Sequence, residues 1–139
     1  MKKLTVLLAM VLLLAACGSN SEPEKTGKGE TAKDKNGDYA TAEITVAGDD
    51  VVSVSLDETS KGSSKKELGA KYGMKDTSKI KKEWNEQVEF LEKYIAKNGL
   101  DKVELNEKGY PANDDVLAGC TINVKNMMDA AANAKENAK

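Results

Sequence analysis

Large apolar residues fall into three regimes along this chain. They are dense from Leu4 to Ala16, absent from Gly18 to Gly37, and periodic from Tyr39 onward. Tyr39–Val46 (YATAEITV) alternates and is rich in β-branched residues, Gly48-Asp49-Asp50 is a turn, and Val51–Leu56 (VVSVSL) alternates again. This pattern predicts a β-hairpin with Ile44, Val46, Val52, Val54 and Leu56 facing inward. Asp57–Ser64 reads as a polar connection. Ser64–Tyr72 reads as a weak helix or an irregular segment ended by Gly73. From Lys79 to Lys97 the period changes. Ile80, Trp84, Val88, Leu91 and Ile95 form one stripe, Thr77 or Ser78 is placed to cap it, and Asn98-Gly99 ends it. Val103 and Leu105 predict a third short strand, Lys108–Asn113 a loop, and Val116-Leu117 another extended piece. Asn123 is expected to cap a last helix, Val124–Ala134, with Val124, Met127, Met128 and Ala131 inside. The order hairpin, helix, strand, helix predicts a small single α+β domain, with the N-terminal hairpin in an antiparallel sheet packed against two main helices.

The N-terminal regimes predict how the chain is delivered. Met1-Lys2-Lys3 is a positive start, and the apolar run after it is shorter than the roughly 18 residues a spanning helix needs, so it reads as a signal peptide. Leu14-Ala15-Ala16-Cys17-Gly18 resembles the lipobox of bacterial lipoproteins. That resemblance implies cleavage before Cys17 and a diacylglycerol on its thiol; an ordinary secreted protein cut at Ala-x-Ala is the alternative. Two or three acyl chains hold a protein firmly on a membrane. The predicted layout is a signal peptide over residues 1–16, a lipidated flexible tether over 17–37, and the domain over 38–139. The tether prediction rests on Gly, Ser, Thr, Pro and alternating charge, which bury too little surface to fold.

Composition narrows the chemistry. With 21 lysines, 23 acidic residues, no His and no Arg, the chain has no Ser–His–Asp triad, no His base and no guanidinium clamp for phosphate. Net charge is −2, and cleavage would remove two lysines and leave −4. Nucleic acid is therefore not an expected partner. Cys17 is consumed by lipid in this reading, so Cys120 remains as a single thiol and no disulfide is expected.

One segment carries candidate chemistry: Asp115-Val116-Leu117-Ala118-Gly119-Cys120-Thr121-Ile122-Asn123. Small residues permit close approach to the backbone, and a helix start just beyond offers free N–H groups to an anion. The same residues also fit a plain strand-to-helix turn. The segment resembles the flavinylation motif of the FMN-binding domain family, Asp-x-x-Ser/Thr-Gly-Ala-Thr, and the rest of the chain resembles that family's small membrane-anchored lipoprotein branch through its lipobox, the Tyr39 hairpin, Lys65-Lys66-Glu67-Leu68-Gly69, Tyr72-Gly73-Met74-Lys75 and Lys82-Glu83-Trp84. Asp115, Gly119 and Thr121 match the motif; Ala118 stands for its Ser or Thr, and Cys120 for its Ala. The resemblance implies a carrier. A flavin transferase would place FMN from FAD on Thr121 as a phosphoester, with Asp115 organising the loop or engaging the transferase and Ala118, Gly119 and Cys120 completing the cofactor-binding segment. The cofactor would bring the redox chemistry. Implied partners are the flavin transferase, a membrane dehydrogenase or quinone-linked donor, and membrane lipid through Cys17. The implied location is the extracytoplasmic side of a bacterial membrane. A non-redox ligand-binding or surface lipoprotein that keeps the fold but has lost flavin is the alternative, motivated by Ala118 and Cys120.

Several other residues have two readings. Cys120 is either a low-pKa redox thiol or a small core residue. Trp84, Phe90, Tyr94, Tyr72 and Tyr110 either stack on a ligand or pack the core, with Tyr110 and Met74 freer because they sit in loops. The lysines from Lys61 to Lys82 either attract an anion or form a solvated face. The acidic pairs Asp49-Asp50 and Asp114-Asp115 read as turn residues.

Overall fold

The computed structural model describes residues 22–139. The signal peptide and the lipidation at Cys17 expected from the sequence fall outside the described residues. Four antiparallel strands run in spatial order β1-β2-β3-β4: β1 Glu24–Glu30, β2 Ala40–Ala47, β3 Asp50–Ser60 and β4 Ser63–Ser64. Four helices accompany them: α1 Lys65–Leu68, α2 Trp84–Asn98, α3 Asp114–Leu117 and α4 Lys125–Asn137. The fold is α+β, with the hairpin β2–β3 at the centre of the sheet and α2 and α4 as its main helices.

The alternation along β2 puts Ala40, Ala42, Ile44 and Val46 inside. They meet Trp84, Val88, Leu91 and Ile95 of α2 and Met127, Ala130, Ala131 and Ala134 of α4 in one core. Burying each large aliphatic side chain is worth about 1.5–3 kcal/mol against leaving it in water. In β3 the expected register changes. Thr45 pairs with Ser53 but Val46 pairs with Val51, so Val52 is bulged out of the ladder. Because side chains alternate with period two, one extra residue exchanges the faces. Val51 is buried, and Val52, expected inside, is 44% exposed. β3 also runs on through the stretch read as a connection. It folds back through Lys61 and Gly62, both at positive φ, 52° and 82°, as a two-residue hairpin turn requires.

The first strand corrects the tether. Residues 24–30 lie within the stretch expected to be flexible, yet they pair with β2 from Glu24↔Ala47 to Glu30↔Thr41. No large side chain holds them. Gly27 and Gly29 face α4, and a β-carbon on either would run into that helix's backbone, at the carbonyls of Ala134 and Ala130. The fold uses absence of side chains here, so that strand and helix meet backbone to backbone. Asn137 and Asn133 then donate side-chain N–H groups to the carbonyls of Lys28 and Glu30, at 2.8 and 3.2 Å. These bonds cover the outer edge of the sheet.

Four further expectations shift. α2 starts at Trp84 because Lys81 adopts a positive φ of 55°, which no α-helix tolerates. Glu83 and Glu86 then form a reciprocal capping box, so neither Thr77 nor Ser78 caps the helix. Val103 and Leu105 make no strand; Leu105 forms a single bridge to Pro111. Val116 and Leu117 belong to α3, a single helical turn. The last helix is capped at Val124 and runs to Asn137, with Asn123 just ahead accepting the Lys125 N–H at 3.1 Å. Among the described residues no helix is long and apolar enough to cross a membrane.

Candidate functional site

A cleft of about 500 Å³ opens between the Met74–Lys79 loop, Tyr110 and the 121–126 segment. It gathers residues far apart in sequence. Tyr72 and Trp84 form one wall, their rings edge to face at 6.3 Å and 75°. The Lys65 ammonium lies 5.2 Å from the Tyr72 ring and 5.3 Å from Trp84, within cation–π range. Its partner is the Glu58 carboxylate at 2.6 Å, and both side chains are only 14% exposed. Burial acts to lower the Lys65 pKa, but the hydrogen bond and charge of Glu58, helped by Tyr72, more than offset it and hold the pKa above its ordinary value. A charged, aromatic-backed ammonium is therefore fixed in the cleft. Lys79 and Met74 line it too, and Tyr110 is 41% exposed at its rim.

Thr121 enters this cleft half-buried. Its N–H donates to Gln87 Oε1 at 2.9 Å, and its hydroxyl lies 3.4 Å from the same oxygen. Thr121 precedes the Val124 cap of α4 by three residues. The first turn of α4 borders the same cleft through Asn126.

The rest of the motif plays other parts. Asp115 and Ala118 are exposed and do not line the cleft. Gly119 is buried beneath Phe90, and a β-carbon there would overlap the phenyl ring. The glycine expected to admit a phosphate thus admits an aromatic ring. Cys120 has no exposed surface. Burial is the main cause pushing its thiol up to about 11, against a small opposing hydrogen bond from the Ile122 backbone. That is the core reading of this cysteine, not that of a low-pKa redox thiol. Phe90 and Tyr94 pack against the core as partly buried rings and do not reach the cleft. Of the residues singled out by sequence, the cleft unites Thr121, Tyr72, Met74, Trp84, Tyr110, Lys65 and Lys79. Gln87 was missed, although its position three after Trp84 and four before Leu91 puts it on the apolar stripe.

The fold has a solved counterpart. The solution NMR structure of a protein from Clostridium thermocellum superposes with a TM-score of 0.55 at 25% identity, covering 84% of this chain and 92% of its own. The likeness is one of fold. No protein-family model matches the chain, and no curated protein matches it. A larger groove of about 820 Å³ lies along β1 and the outer face of the sheet, lined by Lys28, Glu43, Asp57 and Asn133 among others. It holds none of the residues of the motif and no aromatic ring, so the Thr121 cleft is the better candidate.

Proposed function

We propose that this chain is a lipid-anchored extracytoplasmic flavoprotein that carries FMN on Thr121 and relays electrons from a membrane donor to external acceptors. The observation that carries the reading is the placement of Thr121. The last residue of the motif brings a hydroxyl into a cleft that also holds a fixed ammonium and aromatic faces. The residues present fit the group. Lys79 would attract its phosphate, the Glu58-paired Lys65 could add an N–H donor, Tyr72, Trp84 and Tyr110 offer surface to a planar ring, and about 500 Å³ lies within the usual range for ligand pockets of roughly 300–1,000 Å³. The two departures from the family's pattern also fall outside the cleft: Ala118 points to solvent and Cys120 into the core. Neither substitution removes a group from the site.

Attachment needs a nucleophile on this chain and a transferase to activate it. Thr121 Oγ would attack the FMN phosphorus of FAD, the bond to the AMP oxygen would break, and the hydroxyl proton would leave to a base on the transferase. The bound flavin would supply the redox chemistry. This chain's residues hold and orient the group and set the charge around it.

The test is intact mass after co-expression with a flavin transferase. The wild-type chain is expected to gain one FMN, and Thr121→Ala to gain none. An unmodified, colourless wild-type protein overturns the reading. A second reading, a non-redox lipoprotein that binds another ligand in the same cleft, is favoured by Glu58, which neutralises Lys65 there. A flavin absorbance band in protein taken from native membranes would count against it.

A further inference from the structure

Gln87 is the one residue with a long polar side chain that is fully buried among the described residues. A buried primary amide needs partners for two N–H donors and an oxygen. Gln87 has them. Its Nε2 donates to Ser78 Oγ at 3.0 Å and to the Lys82 carbonyl at 3.1 Å, and its Oε1 accepts the Thr121 N–H at 2.9 Å. The orientation follows from chemistry. Turned over, the amide would set N–H against N–H at Thr121 and oxygen against oxygen at Lys82.

We propose that Gln87 is the positioning residue that presents Thr121 for modification, clamping the threonine's backbone and holding its hydroxyl only loosely at the cleft. The inference rests on the reading of Thr121 as the flavin acceptor. Two distances carry it. The bond to the Thr121 N–H has normal length, whereas the hydroxyl contact of 3.4 Å is beyond the usual O–H···O range of about 2.5–3.0 Å. The backbone is held firmly, and the nucleophile only by a long, weak bond that an incoming phosphate can displace. A neutral amide is no base, so Gln87 takes no proton from Thr121; it acts through geometry alone. The same amide fastens the Ser78–Lys82 turn to Thr121, so one buried side chain sets two sides of the cleft against each other.

The decisive variant is Gln87→Met, which keeps length and burial and removes every hydrogen bond. The full chain is incubated with flavin transferase and FAD, and gain of FMN mass is followed in time. Loading is expected to slow by at least about tenfold, since misplacing a reacting group by about 1 Å can cost about a hundredfold. In the unmodified chain, amide hydrogen exchange should speed at Thr121 while Ile44 and Leu91 stay protected. Loading at the wild-type rate overturns the proposal. So does slow loading with the Thr121 amide as protected as before, because the effect then does not pass through the clamp. If Gln87→Met does not fold, Ser78→Ala removes one anchor of the amide and keeps the core. It is expected to give a smaller slowing with partial loss of Thr121 protection, and no change in either overturns the proposal. A wild-type chain that never gains FMN defeats the flavin reading instead, while exchange at Thr121 still decides whether Gln87 clamps it.

Discussion

Two residues of the motif owe their identity to packing. Gly119 lies where a β-carbon would overlap Phe90, so Gly119→Ala should cost about 1–3 kcal/mol by overpacking. Urea denaturation checks this, and pairing the change with Phe90→Ala should relieve much of the added cost, since the two sites share one contact. Cys120 makes the second case. Its thiol is raised from 9.0 to about 11 in the folded chain. Below pH 9.0 the thiol is neutral in both states and its contribution is fully present. As pH rises from 9.0 toward about 11, the unfolded chain loses the proton while the folded chain keeps it, so stability falls. Cys120→Ala should therefore show a shallower decline than wild type across that window. Thiol reagents at neutral pH should label Cys120 only after unfolding.

At the scale of elements, the contact of β1 with α4 depends on two missing side chains. Gly27→Ala pushes a methyl into the α4 backbone, and backbone does not swing aside as a flexible side chain does. The expected loss is about 3 kcal/mol, at the upper end for overpacking, with hydrogen exchange rising first across residues 24–30. This element also shows where the sequence was readable. The β2–β3 hairpin and α2 announced themselves through period and turn chemistry, because their large side chains face the core at regular intervals. β1 did not, because its signal is the spacing of Gly27 and Gly29 against Ala130 and Ala134 a hundred residues later. The bulge at Val52 was hidden for another reason: alternation reports a face, and one added residue reverses it without changing composition. In the site, Thr121, Tyr110 and Met74 were legible from motif and loop position. Gln87 was not, because a polar residue on a helix reads as solvent-facing until its partners from the Ser78–Lys82 turn and Thr121 are brought together.

For the whole molecule, the strand claimed from the tether changes the distance scale. Twenty flexible residues would roam over roughly 25 Å. With β1 beginning at Glu24, only residues 18–23 separate it from Cys17, a contour of about 20 Å at full stretch. Direction changes as well. β1 runs antiparallel to α4, since Gly27 meets Ala134 and Ala138 while Gly29 meets Ala130. The start of β1 therefore lies at the C-terminal end of α4, and Thr121 beyond its N-terminal end. The helix between them, 13 residues, is about 20 Å long. Spin-labelled lipid should broaden the resonances of Gly48 and Ala138 in the anchored protein and spare Thr121; equal broadening would contradict this orientation. With Cys17 lipidated as proposed, a short leash at one pole would act as a mast. It would keep the cleft turned away from the bilayer, so that the proposed membrane donor would have to reach it through a domain standing in the aqueous space, and not through a quinone dissolved in the membrane.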